Sequence, residues 1–112
     1  MRTVEPIFKV KTGDYKKMEE TLKRTIGQYI RHSKECKIGI TNDPYVRWNS
    51  YISANTRYNE MIVFYKTSSY SYICEVEKYL IDHAKDYVDN QRGGGAGIKD
   101  CHNDYFAYIV RL

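Results

Sequence analysis

Apolar residues recur along this chain in two rhythms, every second position or every third to fourth, and the switches between them mark out its elements. Ile7-Phe8-Lys9-Val10-Lys11 alternates apolar and basic side chains and predicts a strand with one wet face. Thr12-Gly13-Asp14 breaks it and offers a helix N-cap. Tyr15, Met18, Leu22, Ile26, Tyr29 and Ile30 follow at spacings of three and four, which predicts an amphipathic helix to about His32, weakened by Gly27. Lys37 to Thr41 is a short, isoleucine-rich strand. Asn42-Asp43-Pro44 then supplies an Asx cap and a proline where the first helical turn needs no N–H. The helix it starts carries Tyr45, Trp48 and Ile52 on one face and Pro44, Arg47 and Tyr51 on the neighbouring one. Met61 to Tyr65 is continuously apolar, the pattern of a central strand covered on both faces. Ser68-Ser69 opens a third helix with Ile73, Val76, Leu80 and Ala84 as its stripe, and Tyr105 to Leu112 reads as a β-branched and aromatic strand.

The order β-α-β-α-β-α-loop-β predicts one α/β (α+β) domain over 1–112, a sheet of about three to four strands covered by helices. At 112 residues there is no room for a second core. No apolar run approaches the roughly 18 residues of a membrane span, so no membrane partner is expected. Met1 to Pro6 lacks the apolar stretch of a signal peptide, and Cys36, Cys74 and Cys101 are an odd set without a CxxC pair. Both features predict an intracellular, cytoplasmic protein with reduced thiols (the nucleus is also compatible), and neither a disulfide framework nor a zinc site. The net charge of +4 permits a polyanionic partner without demonstrating one. The unusual count is tyrosine, 12 in all: core filler, stacking platform for bases or catalytic hydroxyl, a choice composition leaves open.

Glu77 is the most informative residue. It lies four after Ile73 and three before Leu80, so it points with the buried stripe, whereas Glu75 points elsewhere into solvent. A carboxylate facing a core is costly unless paired, hydrogen-bonded or bound to a cation. It either ends at the core rim or pairs with a lysine such as Lys37, or it is a single metal-binding carboxylate of the kind that suits Mg²⁺. Arg47 and Tyr51 stand one turn apart on one helix face. Arg is suited to bidentate phosphate contact, and a tyrosine beside it can orient water, or deprotonate it if a cation lowers its pKa. The bland alternative is an arginine stacked on an aromatic ring.

In order along the chain stand Lys37-Ile38-Gly39-Ile40-Thr41, Arg47-Trp48, Tyr51, Glu77 and then Asn90 ahead of Gly93. This series resembles the second half-motif and following site residues of the GIY-YIG nucleases, with lysine where many members have tyrosine. The resemblance covers 37–97 and leaves 1–36 as a divergent strand and helix. It implies a GIY-YIG-like fold and a divalent-metal-dependent DNA endonuclease that hydrolyses phosphodiester bonds. Glu77 would hold Mg²⁺ (or Mn²⁺), and Arg47, Lys37 and the Gly39 backbone would meet phosphate. Tyr51 or another tyrosine would help activate water, Asn90 would orient groups near the cut, and a domain too small to specify a long target alone would need a homodimer or tolerate relaxed specificity. The first half-motif is not evident: Gly27-Gln28-Tyr29 falls on a predicted helix, and Phe8, which has no hydroxyl, occupies the first strand. Lys37 either supports phosphate or neutralises Glu77. The alternative is therefore an inactive relative that binds nucleic acid or a small nucleotide. The run Gly93-Gly94-Gly95-Ala96-Gly97 lacks the Gly-Lys-Ser/Thr ending of a P-loop and reads as a surface loop or a phosphate-backbone contact. Cys101-His102 has no identifiable orienting group, and His32 and His83 read as exposed helix residues.

Overall fold

A computed structural model describes residues 4–88 and 104–112. Its elements are β1 (Ile7–Lys11), α1 (Tyr15–Arg31), β2 (Cys36–Thr41), α2 (Pro44–Ser53), β3 (Glu60–Thr67), α3 (Tyr70–Ala84) and β4 (Tyr105–Arg111), in the predicted order. Each helix begins on a short polar side chain. Asp14 Oδ1 accepts from Lys16 N at 2.8 Å, Asp43 Oδ1 from Tyr45 N and Val46 N at 3.1 and 3.2 Å, and Ser69 Oγ from Tyr72 N at 3.2 Å.

The strands form one mixed α+β sheet in the order β1-β3-β4-β2. β1 runs parallel to β3, and β4 is antiparallel to both neighbours. Alternation along β4 divides the core. Ala107 and Ile109 join Ile38, Ile40, Ile62 and Phe64 under α1 and α3, contributing with Leu22, Ile26, Ile73, Val76 and Leu80 to the larger cluster. Tyr108 and Val110 face the other way, with Met61, Val63 and Trp48 of α2. A register shift between Val63 and Tyr65 lets Phe64 and Tyr65 both enter the larger cluster. Trp48 is 1% exposed and anchors α2 to the sheet; truncating such a ring typically costs about 3–5 kcal/mol.

Two patterns differ from expectation. β1 is an edge strand whose residues after Ile7 are exposed, Phe8 and Val10 included, so it is wet on more than its basic face. Tyr45, although it shares a face with Trp48 in the helical repeat, is exposed and meets only the exposed edge-strand ring of Phe8 among the described aromatic pairs.

Several tyrosines are accounted for as ties between elements. Tyr65 Oη donates to Gly13 O at 2.6 Å, and Tyr79 Oη donates to Tyr15 O at 2.8 Å, so β3 and α3 both hold the start of α1. The turn they hold needs Gly13, whose φ is +138°. Cys36 and Cys74 are free thiols, and among the described residues no helix is long and apolar enough to cross a membrane.

Candidate functional site

Gly39 in the middle of β2 organises the site. On β2 a side-chain alternation puts Lys37, Gly39 and Thr41 on the α2 face of the sheet. Gly39 pairs with Tyr108 on β4, and that ring lies so close that a Cβ on residue 39 would come within 2.5 Å of Tyr108 Cζ. The missing side chain is thus what lets a buried tyrosine fold down over the strand.

α2 covers this face from a fixed starting point. Asp43 N donates to Thr41 Oγ1 at 3.1 Å, Thr41 Oγ1 donates to Asp43 O at 3.2 Å, and Asp43 caps the helix. This junction sets the rotation of α2 and turns Arg47 and Tyr51 toward β2. Tyr51 Oη then meets Tyr108 Oη at 2.9 Å, with the rings edge to face at 6.1 Å. Lys37 Nζ sits 5.9 Å from the centre of the Tyr51 ring.

Charges of both signs reach the two hydroxyls. Burial raises the Tyr51 pKa; the hydrogen bond with Tyr108 and the Arg47 charge oppose this, and the Glu77 carboxylate adds to it. Burial also raises the Tyr108 pKa, aided by Tyr51 and by Glu77 and opposed by Arg47. Both hydroxyls hold their protons more tightly than an exposed tyrosine, and either can donate to the other. Neither hydroxyl is set up as a tyrosinate: the pKa lowering that water deprotonation by Tyr51 would require is reversed by burial.

Glu77 is 5% exposed, inside the core boundary rather than at its rim, and Glu75 is solvent-exposed, as the helical repeat predicts. Arg47 is half-buried. Lys37, Gly39 and Tyr51 are brought together with Tyr108, and the charges of Arg47 and Glu77 act on the two hydroxyls. Asn90, the glycine run, Cys101 and His102 lie outside the described residues. Gly27-Gln28-Tyr29 is helical within α1, and Phe8 is on the far edge strand against Tyr45 and Phe106. His32 and His83 are exposed.

The residue that sequence reading missed is Tyr108. The first half-motif was sought upstream of β2, whereas the strand paired antiparallel to β2 is β4, later in the chain. The available signal was Gly39 itself, since a glycine inside an isoleucine-rich strand implies a bulky neighbour, and YFAYIVRL holds the candidates.

No protein-family model, curated protein or solved structure matches this chain.

Two outcomes follow. Tyr108→Phe should lower stability by about 1–2 kcal/mol in urea denaturation, because it removes one side of a buried hydroxyl pair. Buried tyrosines also make the fold sensitive to alkali. Tyr51, Tyr65, Tyr79 and Tyr108 all have raised pKa values in the folded chain. Above the ordinary tyrosine value of about 10 the unfolded chain releases protons that the folded chain retains. Stability should accordingly be full below pH about 10 and fall as pH rises past it. Denaturation midpoints across that range, alongside tyrosinate absorbance, check the sign.

Proposed function

We propose that this protein is a divalent-metal-dependent DNA endonuclease of GIY-YIG type. The observation that carries the reading is the Tyr51–Tyr108 hydroxyl pair over Gly39, within reach of the Arg47 and Glu77 charges. It supplies the hydroxyl that the resemblance calls for, from a strand in a different place in the chain.

The donor set suits a hard cation. Glu77 offers one carboxylate, which suits Mg²⁺ or Mn²⁺, ions that keep several waters and take one or two carboxylates plus phosphate oxygens. When bound, such an ion would polarise the phosphoryl oxygen and acidify a water.

The remaining steps belong to the chain's own groups. Arg47 would contact a non-bridging phosphate oxygen, where its fork geometry and fixed charge favour the more negative transition state. Tyr51, paired with Tyr108, would orient the attacking water as a neutral hydrogen-bonding group. Lys37, above the Tyr51 ring, would add positive potential at the same phosphate. Gly39, buried beneath the Tyr108 ring, contributes by admitting that ring. Asn90 and homodimer formation belong to the proposal through the resemblance alone.

Supercoiled plasmid should be nicked or linearised with Mg²⁺ or Mn²⁺ and left intact with EDTA. Tyr51→Phe should slow the reaction by about 10²-fold, as read on agarose gels over time. Plasmid, single-stranded and branched DNA all surviving with both metals would remove the enzymatic reading in favour of a nucleic-acid or nucleotide binder.

A further inference from the structure

On the opposite flank of α2 from Arg47 and Tyr51, the first helical turn carries aromatic surface that the fold does not cover. Tyr45 is 52% exposed and Val46 61%, and the neighbouring edge strand adds Phe8 at 42%. Phe8 and Tyr45 lie 5.6 Å apart between ring centres, and Phe8 rests edge-on against Phe106 at 6.4 Å, which steadies its ring. Phe106 pairs with Thr41, where β2 turns into α2, so the shelf adjoins the junction that orients Arg47. On β1, Phe8 pairs with Val63 of the α2 face whereas Lys11 pairs with Tyr65 of the other face, so the cations on the shelf's side of the sheet are Lys37 and Arg47, across α2. Neither is in an ion pair among the described residues. The nearby Asp43 carboxylate is occupied in capping α2.

Resting on the nuclease reading above, we infer that Phe8 and Tyr45 form a stacking shelf for unpaired bases, and that the substrate is DNA with a single-stranded segment beside the scissile phosphate. Aromatic faces with cations on the same side of the sheet suit a single strand, whose bases present faces and whose phosphates meet Lys37 and Arg47. A duplex offers its bases only at the edges. A second copy of this chain fits less well. Two-fold pairing along β1 would set Lys9 and Lys11 against the same lysines, and like charges directly opposed repel. Two rings and two valines also fall well short of the roughly 800 Å² per side that a stable dimer buries.

The test measures binding in EDTA, where no cleavage intervenes, using an oligonucleotide with a single 2-aminopurine and its blunt duplex as separate probes. Wild-type protein should bind the single strand more tightly than the duplex, with a change in 2-aminopurine fluorescence. Tyr45→Ala should weaken single-strand binding by roughly 5- to 100-fold and leave duplex binding unchanged, while Tyr45→Phe keeps the ring and the affinity. Phe8→Leu should give a smaller loss and guards against a folding defect in Tyr45→Ala. Equal affinity for both probes, untouched by Tyr45→Ala and Phe8→Leu, overturns the shelf, as does a dimer in sedimentation that Tyr45→Ala dissociates while oligonucleotide binding persists. Tyr45-dependent single-strand binding without cleavage of any DNA would sustain the shelf and remove the nuclease. Cleavage unaffected by Tyr45→Ala on single-stranded and duplex substrates would do the reverse.

Discussion

Replacing Glu77 with glutamine is expected to reduce Mg²⁺-dependent cleavage by about three orders of magnitude while the protein stays folded. Glutamine keeps the volume and shape of a side chain that is 5% exposed, so the packing of α3 against the sheet should survive. What it removes is a negative charge. Glu77 is the carboxylate whose charge reaches both Tyr51 and Tyr108. With a single carboxylate for the ion, no neighbouring ligand can compensate. Single-turnover rates in Mg²⁺ and Mn²⁺ read the loss directly. A second readout does not depend on turnover: without the carboxylate, both tyrosine hydroxyls lose a charge that raises their pKa, so their titration should move down toward the ordinary tyrosine range. Wild-type cleavage in Glu77→Gln would leave Glu77 as a structural carboxylate and sink the metal assignment. Unchanged tyrosine titration would show that Glu77 is not coupled to the hydroxyl pair.

Gly39→Ala should be among the most disruptive single-methyl changes in the chain. The added carbon meets Tyr108 at separations that real Cβ atoms essentially never show, 2.5 Å to Cζ and 3.0 Å to Cε2. A tyrosine tip could ordinarily swing away, but this ring is 2% exposed, packed with Trp48, Met61 and Val63, and tied to Tyr51. The strain should lower stability by about 2–3 kcal/mol, a melting temperature roughly 10–15 °C lower. Cleavage should fall as well, because the Tyr108 hydroxyl can no longer meet Tyr51. Combining Gly39→Ala with Tyr108→Leu should recover part of the stability and none of the activity. The coupling between the two positions in a double-mutant cycle then isolates the clash. A melting temperature for Gly39→Ala within two degrees or so of wild type would mean the strand and ring separate freely.

The two sites differ in how far the sequence alone reveals them. Glu77 is legible because helical periodicity is local: Ile73, Val76, Leu80 and Ala84 define a stripe, and one acidic residue on it stands out. Arg47 and Tyr51 are legible for the same reason, four residues apart on a helix whose start Asp43 and Pro44 announce. Tyr108 is not, because its partner Gly39 lies in another strand far along the chain, and strand pairing leaves no periodic trace. Period-two patterning says that a tyrosine faces one side of a sheet, not which strand lies beside it. Motif order points the wrong way too, since it places a hydroxyl on a strand before β2, whereas the strand beside β2 is β4. Composition could not sort the tyrosines either. Tyr65 and Tyr79 tie backbone carbonyls, Tyr45 is exposed, and Tyr51 with Tyr108 forms the pair at the site; only contacts separate these roles. The exposure of β1 was likewise unreadable, since an alternating segment looks the same at the edge of a sheet as one place further in.

The position of β4 between β3 and β2 has a kinetic consequence. Its partners are held apart by most of the chain: Cys36 pairs with Arg111, and β2 has no other neighbour in the sheet. During synthesis β2 and β3 emerge with no strand to join them, and their apolar edges stay unsatisfied until the last strand arrives and slots into the middle. Such distant pairing makes folding slow and highly cooperative. It also delivers Tyr108 to Gly39 in the same step that closes the sheet. A half-made chain would therefore carry Arg47, Lys37 and Glu77 without the hydroxyl pair, which is withheld until β4 joins the sheet.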